Sequence, residues 1–223
     1  MKSAAYFVPL FLSVLGTAVA APASGSATQT LVRRNYTEEY ADQLVDGTAC
    51  RDVTVIYARG TGQQGNIGEA TDVGPLFLDD LAALVGSGNL AAQGVNYSAD
   101  VIGFELGGDA TGSALMAELA TLAYTQCPDT QLVLSGYSQG GQLVHNAADQ
   151  ISSNVTDFVA AVLIFGDPDN GEAVGDIPDD KVHVICHALD GICLHLGIIT
   201  PQHLNYQEDA PAAAEWVAAE LGY

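Results

Sequence analysis

The stretch QLVLSGYSQGGQLVHNAADQI, residues 131–151, limits what this 223-residue chain can fold into more than any other. Residues 131–135 form a short apolar run that reads as a buried strand. Leu143, Val144, Ala147, Ala148 and Ile151 then recur at helical spacing. Between the two stands Gly136-Tyr137-Ser138-Gln139-Gly140. A strand that turns directly into a helix around a serine needs small neighbours, because the turn is sharp and its backbone strained. It lifts the serine Oγ above the sheet edge. It also puts the next backbone N–H, that of Gln139, at a helix N-terminus, where developing negative charge is stabilised. A glycine-rich turn with no chemical task can carry the same five letters; the strand before and the helix after favour a nucleophile.

A serine needs a general base, usually a histidine oriented by a carboxylate. Around such a turn the chain order is serine, acid, histidine. His145 lies on the helix itself, before any acid that could follow, and reads as a helix-face residue. His183 and His187 sit in or beside an apolar run, residues 181–187, and read as structural. His195 and His203 remain. Among the acids, Asp167 and Asp169 fall in Asp-Pro-Asp-Asn, a turn in which aspartate commonly serves the backbone. Asp190 lies between Cys186 and Cys193, where a bridge would hold its loop. Catalytic geometry must be held tightly, so such a staple has a use there. Order and spacing favour Asp190 with His203, and leave His195 as the other base. A second oxyanion donor is expected from the loop after an early strand. Arg59-Gly60-Thr61-Gly62 follows the apolar run of residues 53–59, so the N–H and hydroxyl of Thr61 are the candidates. The loop lacks the Lys-Ser/Thr ending of a phosphate loop.

Around this centre, apolar runs alternate with helix-like stretches. Residues 53–59, 98–104, 131–136, 158–166 and 181–187 read as strands; residues 75–85, 113–126 and 212–221 as helices. The pattern is an α/β fold with a mainly parallel sheet covered on both faces.

The start, MKSAAYFVPLFLSVLGTAVA, has the layout of a secretory signal peptide, with removal expected after Ala20. Residues 21–34 end in Arg33-Arg34 and read as a propeptide, leaving one domain over residues 35–223. No other segment is long enough to span a bilayer. Lys2, Arg33 and Arg34 belong to the leader, so Arg51, Arg59 and Lys181 face all 27 acidic residues. That field repels nucleic acid and anionic membranes. An apolar fraction of 48% excludes a disordered acidic chain. Four cysteines, Cys50, Cys127, Cys186 and Cys193, allow three disulfide connectivities in a secreted protein. Asn35, Asn96 and Asn154 open glycosylation sequons.

With these residues in hand, the sequence resembles the fungal cutinases. The likeness rests on IYARGTGQQGNIG, VGPLF, ADVIGFELGGDATGSALM, CPDTQLVLSGYSQGGQLVHNAADQI, and DGIC followed by PQHLNY. It implies an α/β-hydrolase with a five-stranded sheet flanked by helices and no large lid. It assigns Ser138 as nucleophile, Asp190 as acid and His203 as base; the interval between the last two suits the family and sets His203 above His195. It places the oxyanion donors on Thr61 and the Gln139 backbone, and implies disulfides Cys50–Cys127 and Cys186–Cys193. The implied activity is hydrolysis of cutin and short-to-medium acyl esters by a secreted monomer, with no cofactor or metal. Thr61 (serine in many relatives), the acidic segment between Phe165 and Lys181, and His195 depart from the family pattern and bear on acyl preference. Two rival readings are an acetylxylan esterase of the same fold and a non-catalytic secreted binding or elicitor protein.

Overall fold

The computed structural model describes Met1 and residues 36–223. The expected leader, propeptide and Asn35 sequon lie outside the described residues. Five strands order the molecule: β1 (Val53–Ala58), β2 (Leu90–Gly94), β3 (Gln131–Tyr137), β4 (Val159–Phe165) and β5 (Val182–Ile185). They lie in the order β2-β1-β3-β4-β5, and all four pairings are parallel. Three of the four crossovers carry α-helix: α1 (Val73–Val85) between β1 and β2; α2 (Val101–Glu105) and α3 (Ala110–Gln126) before β3; α4 (Gln139–Ala148) and α5 (Ser153–Phe158) before β4. A last helix, α6 (Ala210–Glu220), closes the chain.

The central strands are buried on both sides, and their side chains alternate between two cores. Val53, Val55, Tyr57, Val133, Leu163 and Phe165 point to one face, where they meet Phe77, Leu81, Ala213 and Val217 of α1 and α6. Ile56, Leu132, Leu134, Val162 and Ile164 point to the other, against Met116, Ala120, Leu143 and Ala147 of α3 and α4. Each such Val, Leu, Ile or Phe contributes roughly 1.5–3 kcal/mol by leaving water. Cys50 is bonded to Cys127, and Cys186 to Cys193. The first bond ties the approach to β1 to the end of α3.

One local reading of the sequence is corrected and one strand was not read. Residues 98–104 are a turn and a short helix, because the Asp100 carboxylate accepts the Gly103 N–H (2.8 Å) and caps α2. Their large aliphatic side chains are not core: Val101 and Ile102 are exposed. Residues 90–94, Leu-Ala-Ala-Gln-Gly, form a strand despite lacking β-branched residues. Docking explains it: Val53 and its successors pair along one side, while Gln43 N–H and Gly94 N–H bond across to Ala92 and Ala41 on the other. α3 begins three residues before the expected 113, where Asp109 caps it through the Gly112 N–H (2.6 Å). α5 has no apolar periodicity to announce it.

Behind α4, His145 and Asp167 form a buried pair. His145 Nε2 lies 3.0 Å from Asp167 Oδ2, and its Nδ1 lies 3.2 Å from the Ala173 carbonyl. Both ring nitrogens face acceptors, an arrangement that suits the doubly protonated ring. Burial opposes the charge, but the Asp167 hydrogen bond and charge, with Asp169 and the Ala173 carbonyl, outweigh it and raise the His145 pKa. A raised folded pKa adds stability that is full below the unfolded value of about 6.5 and is lost as pH rises through the folded one. In urea unfolding, the stability advantage of the native chain over His145→Gln should be largest near pH 5 and shrink toward pH 9. An equal advantage at both pH values would mean that His145 is not held charged.

Candidate active site

The site stands at the C-terminal edge of β3. Ser138 has φ 56° and ψ −122°, a region that non-glycine residues rarely occupy and that costs about 1–3 kcal/mol. Its neighbours explain the two flanking glycines. A side chain at Gly140 would overlap the Ala58 carbonyl, and one at Gly136 would overlap the Gly140 backbone. The Ser138 N–H donates to the Phe165 carbonyl (2.9 Å) and the Gly141 N–H to the Ser138 carbonyl (2.7 Å), which fixes the turn. The Gln139 N–H, in the first turn of α4, lacks an intrahelical acceptor.

Ser138, His203 and Asp190 meet in one line. Nδ1–H of His203 donates to Asp190 Oδ2 (2.8 Å), which leaves Nε2 to accept from the Ser138 hydroxyl (2.9 Å). Asp190 is 0% exposed, His203 2% and Ser138 7%, so bulk water competes little for these bonds. His203 sits on a tight turn at Pro201–Leu204 and stacks against Tyr137, with ring centroids 5.3 Å apart. The Tyr137 hydroxyl donates to the His203 carbonyl (2.7 Å).

The other candidates are held elsewhere. Asp167 belongs to His145. His195 is exposed, with its nitrogens 2.9 and 3.2 Å from the Pro168 and Asn170 carbonyls. His183 stacks on Trp216. Asn96 and Asn154 are exposed.

Three groups at this site escaped the sequence reading. Tyr206 donates its hydroxyl to Asp190 Oδ2 (2.7 Å), while the Ile192 N–H donates to Oδ1 (2.8 Å). Burial disfavours charge on Asp190, yet Tyr206, His203 and Ile192 together hold its carboxyl below the usual range. Burial and the Asp190 bond raise the Tyr206 hydroxyl well above its ordinary value, so it stays a donor. His187 carries the support outward: its N–H donates to the Tyr206 oxygen (2.9 Å), and its ring lies flat on the Tyr206 ring. His187 Nδ1 faces the Gln202 carbonyl (2.9 Å) and Nε2 faces Asp209 (2.7 Å), which clamps the His203 turn from both ends. The third group is the Gln139 side chain. Its amide N–H donates to Thr61 Oγ1 (2.7 Å) and to the Asp100 carbonyl (2.8 Å). Thr61 thus accepts one bond and keeps its own hydroxyl proton to donate. The loop bearing Thr61 is held by Arg59, which bonds the Gln63 and Tyr97 carbonyls and lies over the Tyr97 ring. The only sequence hint of Tyr206 is its spacing of one helical turn from His203.

A cavity of about 490 Å³ opens over Ser138 and His203 and takes in Thr61. Val101, Phe104, Ile192, Ile199 and Leu204 give it apolar walls. The arrangement can carry out acyl transfer: a hydroxyl with its base, a buried acid behind the base, and donors beside the serine.

Comparison with known proteins agrees with this geometry. The family model for cutinases matches residues 49–221. A cutinase of Monilinia fructicola is 50% identical over 178 residues, covering 80% of this chain and 87% of its own. A cutinase of Botryotinia fuckeliana is 48% identical over the same shares. Among solved structures, Trichoderma reesei cutinase in complex with a C11Y4 phosphonate inhibitor superposes with a TM-score of 0.76 at 39% identity, covering 84% of this chain and 82% of that one. The chain belongs to the cutinase family of serine carboxylic ester hydrolases.

Proposed function

We propose that this chain is a secreted esterase that cleaves cutin-type polyesters through an acyl-enzyme on Ser138. The observation that carries the proposal is the hydrogen-bonded line Ser138–His203–Asp190. Ser138 attacks the ester carbonyl while His203 takes its proton, and Asp190 fixes the imidazole tautomer and stabilises its charged form. The tetrahedral oxyanion rests on the Gln139 N–H and on Thr61, whose hydroxyl is oriented by the Gln139 side chain. His203 then gives its proton to the leaving alcohol, and water repeats the steps on the acyl-enzyme. Tyr206 is a positioning residue: its hydroxyl acts through Asp190.

The substrate class follows from the cavity and its rim. The volume is far larger than an acetyl group requires, which supports a longer acyl chain over an acetylated polysaccharide. Val101, Ile102, Leu106, Leu189, Leu194, Leu196, Ile198, Ile199 and Leu204 are exposed, and they fall on the two segments that frame the opening. Such a rim suits an insoluble apolar polyester. Among the described residues no helix is long and apolar enough to cross a membrane.

Ser138→Ala should lower ester hydrolysis by roughly ten-thousandfold or more, with an unchanged circular dichroism spectrum and no labelling by an organophosphonate. Full turnover in that variant would remove Ser138 from the reaction. Tyr206→Phe takes one donor from the Asp190 carboxylate, so more negative charge bears on His203 and favours its charged form. The acid limb of kcat/KM should move to higher pH, and kcat should fall while KM holds. A limb that stays in place or moves down would leave Tyr206 a packing role only. N-terminal sequencing of protein secreted by a fungal host should give Ala21 if only the leader is removed, or Asn35 if Arg33-Arg34 is also processed; an intact Met1 would argue against both.

A further inference from the structure

A second cavity, of about 370 Å³, adjoins the first and differs from it in chemistry. The two share Thr61, Tyr137 and Leu204 as lining residues, so a wall made of the residue before the nucleophile and the residue after the base lies between them. The first cavity is walled mainly by aliphatic and aromatic side chains, with Glu105 as its one carboxylate. The second is lined by Gln63, Gln64, Glu69, Asp72 and Gln207, with the Tyr206 edge at its back. No lysine, arginine or histidine lines it.

The hydrogen bonds already made leave both kinds of partner free. Gln63 spends its side-chain oxygen on the Gly60 N–H (2.8 Å), which leaves its amide N–H groups to donate. Gln64 spends an N–H on the Gly62 carbonyl (3.2 Å), which leaves its oxygen to accept. Glu69 and Gln207 are exposed at the mouth. A hydroxyl group is donor and acceptor at once, so mixed amides and carboxylates match it. Two carboxylates without a cation repel an anion.

An ester has two arms. Thr61 borders both cavities, so a carbonyl oxygen held there puts the reacting carbon at their junction. The apolar cavity takes the acyl arm. The alcohol arm must leave past His203, and the residues that follow His203 in the chain, Leu204, Tyr206 and Gln207, lead into the polar cavity.

We infer that this polar cleft binds the alcohol side of the substrate, and that it selects a neutral, hydroxyl-rich alcohol such as a glyceryl or sugar residue. The inference rests on the esterase reading above and names the second half of its substrate. It also implies that an alcohol arm ending in a free carboxylate is disfavoured.

The test compares butyrate esters that differ only in the alcohol: methyl, glyceryl and xylosyl. In the native chain kcat/KM for the glyceryl or xylosyl ester should exceed that for the methyl ester. In the double variant Glu69→Ala, Gln207→Ala the polyol-to-methyl ratio should fall about thirtyfold, the worth of two ordinary hydrogen bonds. A fall confined to one of the two polyol esters supports the cleft and names its alcohol. Methyl ester hydrolysis with an unchanged polyol-to-methyl ratio in the variant would overturn the cleft assignment alone. Failure of the native chain to hydrolyse any of the three would overturn the esterase reading and this inference with it.

Discussion

The site depends on one close approach of backbone to backbone. Gly140 lies against the Ala58 carbonyl and Gly136 against Gly140, with no room for a side chain at either position. This contact brings the end of β1, and with it the Thr61 loop, up to the first turn of α4. The Gln139 amide can reach Thr61 only because of it. Donor placement is therefore a consequence of two missing Cβ atoms. The strain held at Ser138 is offset by its backbone bonds to Phe165 and Gly141 and by the buried packing around the turn.

The fold uses the histidine–aspartate pairing three times, and the partner of the second nitrogen separates the uses. In His145–Asp167 and His187–Asp209 the other ring nitrogen faces a backbone carbonyl. Acceptors on both sides favour the charged form of these rings and raise both pKa values, one on the inner face of α4 and one across the His203 turn. In His203–Asp190 the other nitrogen faces a hydroxyl, which has a proton to give. What separates the three pairs is whether the third group is a carbonyl or a hydroxyl.

The strand–turn–helix around Ser138 is legible because a continuous apolar run gives way to helical spacing within a few residues. The acid and base were narrowed by chain order, and the family likeness chose between His195 and His203. What stayed hidden has physical reasons. Tyr206 acts through a bond across a folded turn, and nothing adjacent in the chain announces it. Gln139 was read for its backbone because that role is set by the turn, whereas its side chain depends on how two other loops converge. Residues 98–104 misled because their apolar side chains face the cavity and its rim, where hydrophobicity serves contact with something outside the chain. Residues 90–94 were missed because small residues become a strand only when neighbours on both sides pair with them.

The Cys186–Cys193 bridge closes a loop of seven residues' separation around Asp190, and the Cys193 sulfur lies 3.5 Å from the carboxylate. The alignment of the Asp190 carboxylate is thus fastened by a bond that thiols can undo. In a reducing compartment the loop between β5 and the His203 turn would lose its covalent closure, and Asp190 would keep only its hydrogen bonds. Full alignment belongs to an oxidising environment.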